Sequence, residues 1–237
     1  MNYSDELTNI YKKLETDINY IDNSEQTAKY TTSTNYSLES ETPFQRWYRY
    51  KEGFSYSLIK ELIEKQSKNN EGKILDPFLG SGTTCLVADS LLRKSVGFEI
   101  NPFSSFVSKC KLSSYSRADK DELKRCIDSI RVLNIYNYDV FPDPKLSFAK
   151  KVFDEAVKDI FLRLKSVVYT ITNNQKVFDL LKLAWLSILE DVSNYRKAGN
   201  GLKIKKTKKN FIKAENIITT YINKLEIIYS DINKVLV

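Results

Sequence analysis

Apolar residues recur along most of this chain at steps of three and four, the spacing of one face of an α-helix. Residues 4–22 place Leu7, Ile10, Tyr11, Leu14, Ile18 and Ile21 on such a face, and Ser4 with Asp5 and Glu6 suits its start. Residues 23–42, rich in Ser, Thr, Asn and Glu, read as an irregular connector. A further helix runs through Leu58, Ile59, Leu62 and Ile63, behind the aromatic stretch Pro43–Ser55. From residue 117 onward, helical patterns cover 118–133, 146–172, 175–197 and 208–236. The last carries Phe211, Ala214, Ile218, Tyr221, Leu225, Ile228, Ile232 and Val235 as a heptad seam, widened by Ile217 and Ile222. Such a seam needs a partner surface, in the same chain or in another.

Two short runs break the helical period. Lys73-Ile74-Leu75 is apolar and bounded by Asp76-Pro77, as expected of a buried strand stopped by a residue that cannot donate to a sheet ladder. Ser95–Glu99 reads as a second strand, ending in an acid and followed by a proline-started helix, Pro102–Leu112, that carries Phe103, Phe106, Val107 and Cys110. Between them, Gly80 and Gly82 allow a tight turn, and Thr83 and Thr84 open a helix, Cys85–Arg93, with Leu86, Val87 and Leu91 as its apolar face. Strand, glycine turn and helix form the geometry that holds a nucleotide-like ligand at a helix N-terminus. Glu99, 17 residues beyond Gly82, stands where an acid is expected to meet a ribose hydroxyl pair. Ile135–Phe141 is a candidate for one more short strand, and none is expected beyond it.

Charge and composition narrow the class. A net charge of +7 suits an anionic partner, and 42% hydrophobic residues suffice for a core. Eight basic residues and no acidic one fall within 196–213, among them Arg196, Lys197, Lys203, Lys205 and Lys206. They read as a phosphate-contacting arm on DNA or as the solvated start of a helix; basic residues at a helix N-terminus oppose the macrodipole. The chain has no histidine, which excludes a histidine base, a Ser-His triad and histidine-ligated metal within it. Cys85, Cys110 and Cys126 form no CxxC, so neither a zinc motif nor a disulfide framework is expected. No signal pattern opens the chain and no apolar run approaches the ~18 residues of a membrane span, so a cytoplasmic protein is expected.

The string D-P-F-L-G-S-G-T-T, Asp76 to Thr84, resembles the S-adenosylmethionine-binding motif of the DNA amino-methyltransferases, which methylate adenine N6 or cytosine N4. G-F-E-I-N-P-F, Gly97 to Phe103, is similar to their second cofactor motif. K-E-G-F-S, Lys51 to Ser55, resembles the segment that covers the methionine end. Physically, the Ser55 hydroxyl and free amides at that helix start suit a carboxylate. The resemblance implies that Asp76, Pro77, Phe78, Gly80, Ser81, Gly82, Thr83 and Thr84 surround the methionine moiety. It implies Glu99 on the ribose, Ile100, Asn101 and Pro102 beside the adenine, and Lys51, Phe54 and Ser55 over the carboxylate, with no metal.

The family's catalytic motif, an Asp, Asn or Ser followed by Pro-Pro and an aromatic, holds the target amine and stacks on the flipped base. No Pro-Pro dipeptide occurs here, and Asp143-Pro144-Lys145 lacks the second proline and the aromatic. No Pro-Cys pair supports a cysteine nucleophile. The expected fold is therefore α/β: a partial Rossmann-like methyltransferase sheet, incomplete in this chain, followed by a mainly helical region. Three parts are expected: 1–42, an N-terminal helix and connector; 43–116, the cofactor-binding part; 117–237, the helical region with the basic loop. The function expected is that of the S-adenosylmethionine-binding subunit of a split, site-specific DNA amino-methyltransferase. A second methyltransferase subunit, in a heterodimer, would bring the catalytic motif; the alternative is a non-catalytic S-adenosylmethionine-binding regulatory or structural protein.

Overall fold

Long helices with one apolar stripe each need a shared interior, and four of them build it here. The computed structural model describes residues 42–50, 53–66, 72–143, 152–198, 201–205 and 211–234. In chain order these form α1 (Tyr56–Gln66), β1 (Lys73–Asp76), α2 (Thr83–Ser90), β2 (Lys94–Gly97) and α3 (Pro102–Leu112). They continue as α4 (Arg117–Val132), α5 (Glu155–Thr170), α6 (Gln175–Ser187), α7 (Leu189–Val192), β3 (Tyr195–Ala198), β4 (Gly201–Ile204) and α8 (Ile217–Lys234). The architecture is mixed α/β, with most of the described residues in helices.

The core lies among α4, α5, α6 and α8. Ile127 and Ile130, Leu164 and Val167, Leu180 and Leu183, and Leu225 and Ile228 are fully buried there, one pair from each helix. Each such side chain removed from water stabilises the fold by roughly 1.5–3 kcal/mol. The heptad seam finds its partner inside the chain: Ile217, Tyr221, Leu225, Ile228 and Ile232 are buried, with α8 against α4 and α6. The Tyr221 hydroxyl donates to the Leu181 carbonyl at 3.0 Å, which satisfies the polar tip of a wholly buried ring.

One charged residue interrupts the α8 stripe. Asp231 is 0% exposed and accepts from the Phe44 amide at 3.1 Å, Arg46 Nε at 3.0 Å and the Trp47 indole at 3.0 Å. A second guanidinium nitrogen of Arg46 closes on its other oxygen. Lys224, two turns earlier, donates to the Arg46 carbonyl at 3.1 Å. The last helix thus fixes the short turn Gln45–Trp47.

The first sheet is a parallel pair, with Leu75 beside Val96 and Asp76 beside Gly97. Alternation puts Leu75 and Val96 on one face and Ile74 and Asp76 on the other. Helix α2 lies against both strands. Leu75 is 62% exposed, so the expectation of a buried first strand is corrected: among the described residues, its outward face has no cover.

Other expectations change as well. Ile135–Phe141 is not a strand: Ile135–Asn137 is a 3-10 turn capped by the Asn134 side chain, and Arg163 donates to the Tyr138 carbonyl, which turns the loop toward α5. The helix expected over 175–197 ends at Val192, and the expectation of no later strand fails. Tyr195–Ala198 pairs antiparallel with Gly201–Ile204. Gly-Asn-Gly at 199–201 is a hairpin signal that the helical spacing upstream concealed. The final helix starts at Ile217 after a 3-10 turn, Ala214–Asn216, rather than at 208. Helix α5 spans 155–170 within the expected 146–172, and α2 spans 83–90 rather than 85–93. The helix expected over 4–22 and the connector over 23–42 lie outside the described residues, save Thr42.

Replacing Asp231 by Ala removes the acceptor shared by the Phe44 amide, the Arg46 guanidinium and the Trp47 indole. Urea unfolding should show a loss of about 3–5 kcal/mol; a loss below about 1 kcal/mol would contradict this account.

Candidate cofactor site

The two β-to-α loops are laced together at the carboxyl ends of β1 and β2. Asp76 is buried, and its Oδ1 accepts from the Phe78 amide at 3.0 Å. The Phe98 amide donates to the Asp76 carbonyl at 2.9 Å, and the Leu79 amide donates to the Phe98 carbonyl at 2.9 Å. Proline at 77 ends the ladder, and the chain turns through Gly80 at φ +55° and Gly82 at φ +91°, both left-handed. A Cβ on Gly82 would stand 2.9 Å from Ser108 Cβ of α3; one on Gly80 would stand 3.3 Å from the Tyr50 ring. The turn is therefore gripped by α3 on one side and by Tyr50 on the other.

Helix α2 starts directly from this turn, at Thr83, without a side-chain cap. Its first amides are accordingly available to an anionic or polar ligand. Ser81 and Thr83 are 2% and 3% exposed, and among the described residues neither Ser81 Oγ nor Thr83 Oγ1 has a hydrogen-bond partner. Buried hydroxyls are nearly always paired. Two unpaired ones at a glycine turn fit a ligand that brings its own polar groups.

At the end of β2, Glu99 Oε1 accepts from the Asn101 amide at 2.7 Å. Asn101 caps α3, accepting from Phe103 at 2.9 Å and Ser104 at 3.4 Å, and Pro102 occupies the first helical position. Ile100 is 98% exposed and Phe78 also stands in solvent, at the edge where open α/β sheets take their ligands. Ser55 is buried and its Oγ accepts from the Leu58 amide at 3.1 Å, so it caps α1. Phe54 is exposed. Lys51 lies outside the described residues.

The basic stretch divides into two groups. Arg196 and Lys203 are exposed and directly opposite each other across the hairpin. Lys197 donates to the Tyr48 hydroxyl and lies 5.0 Å from that ring's centre. Lys205 donates to the carbonyls of Glu190 and Asp191 at 2.7 and 2.8 Å, binding the hairpin to α7. Lys206 lies outside the described residues.

Four residues at or beside the turn escaped the sequence reading: Gln45, Tyr50, Ser108 and Lys111. Aromatic density marked the stretch that holds Tyr50, without distinguishing it. Lys111 gave no signal, because a lysine on a helix is ordinarily solvated. Here it is 2% exposed, donates to Gln45 Oε1 at 3.2 Å, and is pushed by burial down to about 7. Among the described residues, no cluster of three or more His, Cys, Asp or Glu converges as a metal site, and no helix is long and apolar enough to cross a membrane.

Residues 3–109 match the family model of the N6/N4 DNA methylases. The chain is 30% identical over 232 residues to the type II methyltransferase M.BsoBI of Geobacillus stearothermophilus, covering 91% of this chain and 44% of that one. The chain belongs to the DNA amino-methyltransferase family. It is also 27% identical over 165 residues to the type II methyltransferase M.AvaI of Nostoc sp., 68% of this chain and 33% of that one. A shorter match, 35% over 72 residues, links it to the type II methyltransferase M.MjaII of Methanocaldococcus jannaschii, with 29% of this chain and 13% of that one covered. The chain spans less than half the length of the relatives it matches. No solved structure matches it. S-adenosylmethionine is the methyl donor of this methyltransferase family. A positively curved glycine turn, free helix amides and unpaired hydroxyls suit such a ligand.

Two measurements probe the site's mechanics. Gly82→Ala should cost about 1–3 kcal/mol in urea unfolding, from positive φ and the clash with Ser108. Lys111 titrates near 7 when folded and near ~10.4 when unfolded. Between those values the unfolded chain holds a proton that the folded chain does not, so Lys111 adds stability as pH rises, by up to ~1.4 kcal/mol per pH unit. The stability difference between wild type and Lys111→Met should therefore shift in favour of wild type from pH 7 to 10. Burial pushes the neighbouring Cys110 thiol up to about 12, a contribution of opposite sign that wild type and variant both carry.

Proposed function

We propose that this chain is the S-adenosylmethionine-binding subunit of a split, site-specific DNA amino-methyltransferase of the restriction–modification kind. A second polypeptide supplies the catalytic motif and the rest of a Rossmann-like sheet. The observation that carries the reading is the Asp76–Thr84 turn, with its buried unpaired hydroxyls at the mouth of β1.

Bound there, S-adenosylmethionine supplies an electrophilic methyl group on a sulfonium. Asp76, Pro77, Phe78 and the Gly80–Thr84 turn hold its methionine part; Glu99 accepts from the ribose hydroxyls; Ile100, Asn101 and Pro102 border the adenine. Lys51, Phe54 and Ser55 close the pocket from the α1 side. The exocyclic amine of adenine or cytosine is a weak nucleophile, since its lone pair is delocalised into the ring. It therefore needs acceptors for its hydrogens and a stacking aromatic, which the second subunit provides.

The face of β1 and β2 that has no cover among the described residues supports a completing polypeptide. Leu75, Val96 and Phe98 are exposed in a parallel pair, the kind of sheet ordinarily covered on both faces. Arg196 and Lys203 support a contact to DNA. Like charges opposite each other weaken a hairpin, and a phosphate between them offsets that cost.

Coexpression with the neighbouring open reading frame, followed by assay of labelled methyl transfer to DNA, tests the reading. The chain alone should bind S-adenosylmethionine and transfer nothing, while the pair transfers methyl groups. Full activity of the lone chain would refute the split, and binding without transfer under any pairing would favour the non-catalytic alternative. In the active pair, Arg196→Ala with Lys203→Ala should lower the salt dependence of DNA binding by about two phosphate contacts. Lys197→Ala and Lys205→Ala should instead lower stability.

A further inference from the structure

Lys111 holds no cofactor atom in the proposed function, yet it is 2% exposed on a face of α3 shared with Ser104 and Ser108. Ser104, Ser108 and Lys111 lie on one buried face of α3, and Ser108 is the residue that presses on Gly82. Leu112, next to Lys111, also touches that glycine, its Cδ1 3.8 Å from where a Cβ would stand. Lys111 therefore sits on the part of α3 that borders the glycine turn. From the other side comes Gln45, in the segment that leads on to Tyr50 over Gly80.

The Lys111 ammonium offers three donors and meets one acceptor, Gln45 Oε1 at 3.2 Å. Among the described residues, no carboxylate pairs with it. Gln45 is 1% exposed, and its Nε2 has no partner among the described residues. A buried ammonium without a counter-charge is unfavourable, and so is a buried amide N–H without an acceptor. With Ser81 Oγ and Thr83 Oγ1 unpaired on the adjoining turn, the unsatisfied groups are all able to donate. Such a set is complementary to an oxyanion.

We propose that Lys111 and Gln45 form a carboxylate-binding subsite, occupied by the carboxylate of the cofactor's methionine tail. This rests on the cofactor-binding reading and adds to it the groups that recognise the amino-acid end. Ser55, on the α1 side, accepts from the Leu58 amide and lies 3.0 Å from Ser57 Oγ. Binding restores charge balance around Lys111 and keeps it protonated at neutral pH. A ligand lacking the carboxylate gains nothing from either residue.

The full chain is titrated calorimetrically with S-adenosylhomocysteine, which has the carboxylate, and with 5′-methylthioadenosine, which lacks it. Lys111→Met and Gln45→Leu are compared with wild type. Both replacements are apolar and close in volume, and an apo melting temperature equal to or above wild type confirms folding. The expected result is a loss of about tenfold or more in affinity for S-adenosylhomocysteine, with affinity for 5′-methylthioadenosine unchanged. Equal losses for both ligands, or none, would overturn the proposal. Unchanged affinities together with weaker association of the second polypeptide would assign the subsite to a protein carboxylate and overturn it too. Failure of wild type to bind either ligand would defeat the cofactor reading itself, whereas wild-type binding with indifferent variants defeats this inference alone.

Discussion

A wholly buried carboxylate on the last helix determines where the first described residues go. Burying a carboxylate is costly unless its oxygens are occupied, and Phe44, Arg46 and Trp47 occupy those of Asp231. The consequence passes along the chain. With Gln45–Trp47 fixed, Tyr48 stacks edge-on against Phe103 of α3 at 4.9 Å, and Tyr50 comes to lie over Gly80. The helical bundle and the cofactor turn are thereby one mechanical unit, joined by an aromatic segment that belongs to neither.

The same segment explains how a short sheet can hold a precise turn. Two strands of four residues carry little stability alone. What steadies the loops is the lacing of Asp76, Phe98 and Leu79, the close approach of α3 to Gly82, and Leu79 pressed on Gly97, where a Cβ would stand 2.7 Å from its methyl. Among the described residues, the outward face of the strands has no such support, with Leu75 and Val96 exposed.

The basic stretch illustrates how charge acquires roles by position. Lys197 and Lys205 point back to Tyr48 and to the carbonyls that end α7, and so fasten the hairpin. Arg196 and Lys203 face each other across the same ribbon and are exposed. Alternation separates Lys197 from Arg196, whereas Lys205, just past the end of β4 and two residues beyond Lys203, is drawn to α7 by the carbonyls of Glu190 and Asp191.

Local sequence determined a good deal here. The glycine turn, the strand on each side of it, the proline-started α3 and the amphipathic helices were legible, because each depends on residues within one or two turns of one another. The family was legible for the same reason: its cofactor motifs are contiguous. The hairpin was missed where helical spacing ran up to Gly-Asn-Gly, and the strand proposed at Ile135–Phe141 was lost to a capped turn held by Arg163. The heptad seam specified a buried stripe but not its partner; packing against α4 and α6 supplied that. Asp231, Lys111 and Gln45 look like surface residues in the sequence. Only the tertiary structure decided that they are interior, because burial of a polar side chain is set by helices that are remote along the chain and by the groups those helices bring to meet it.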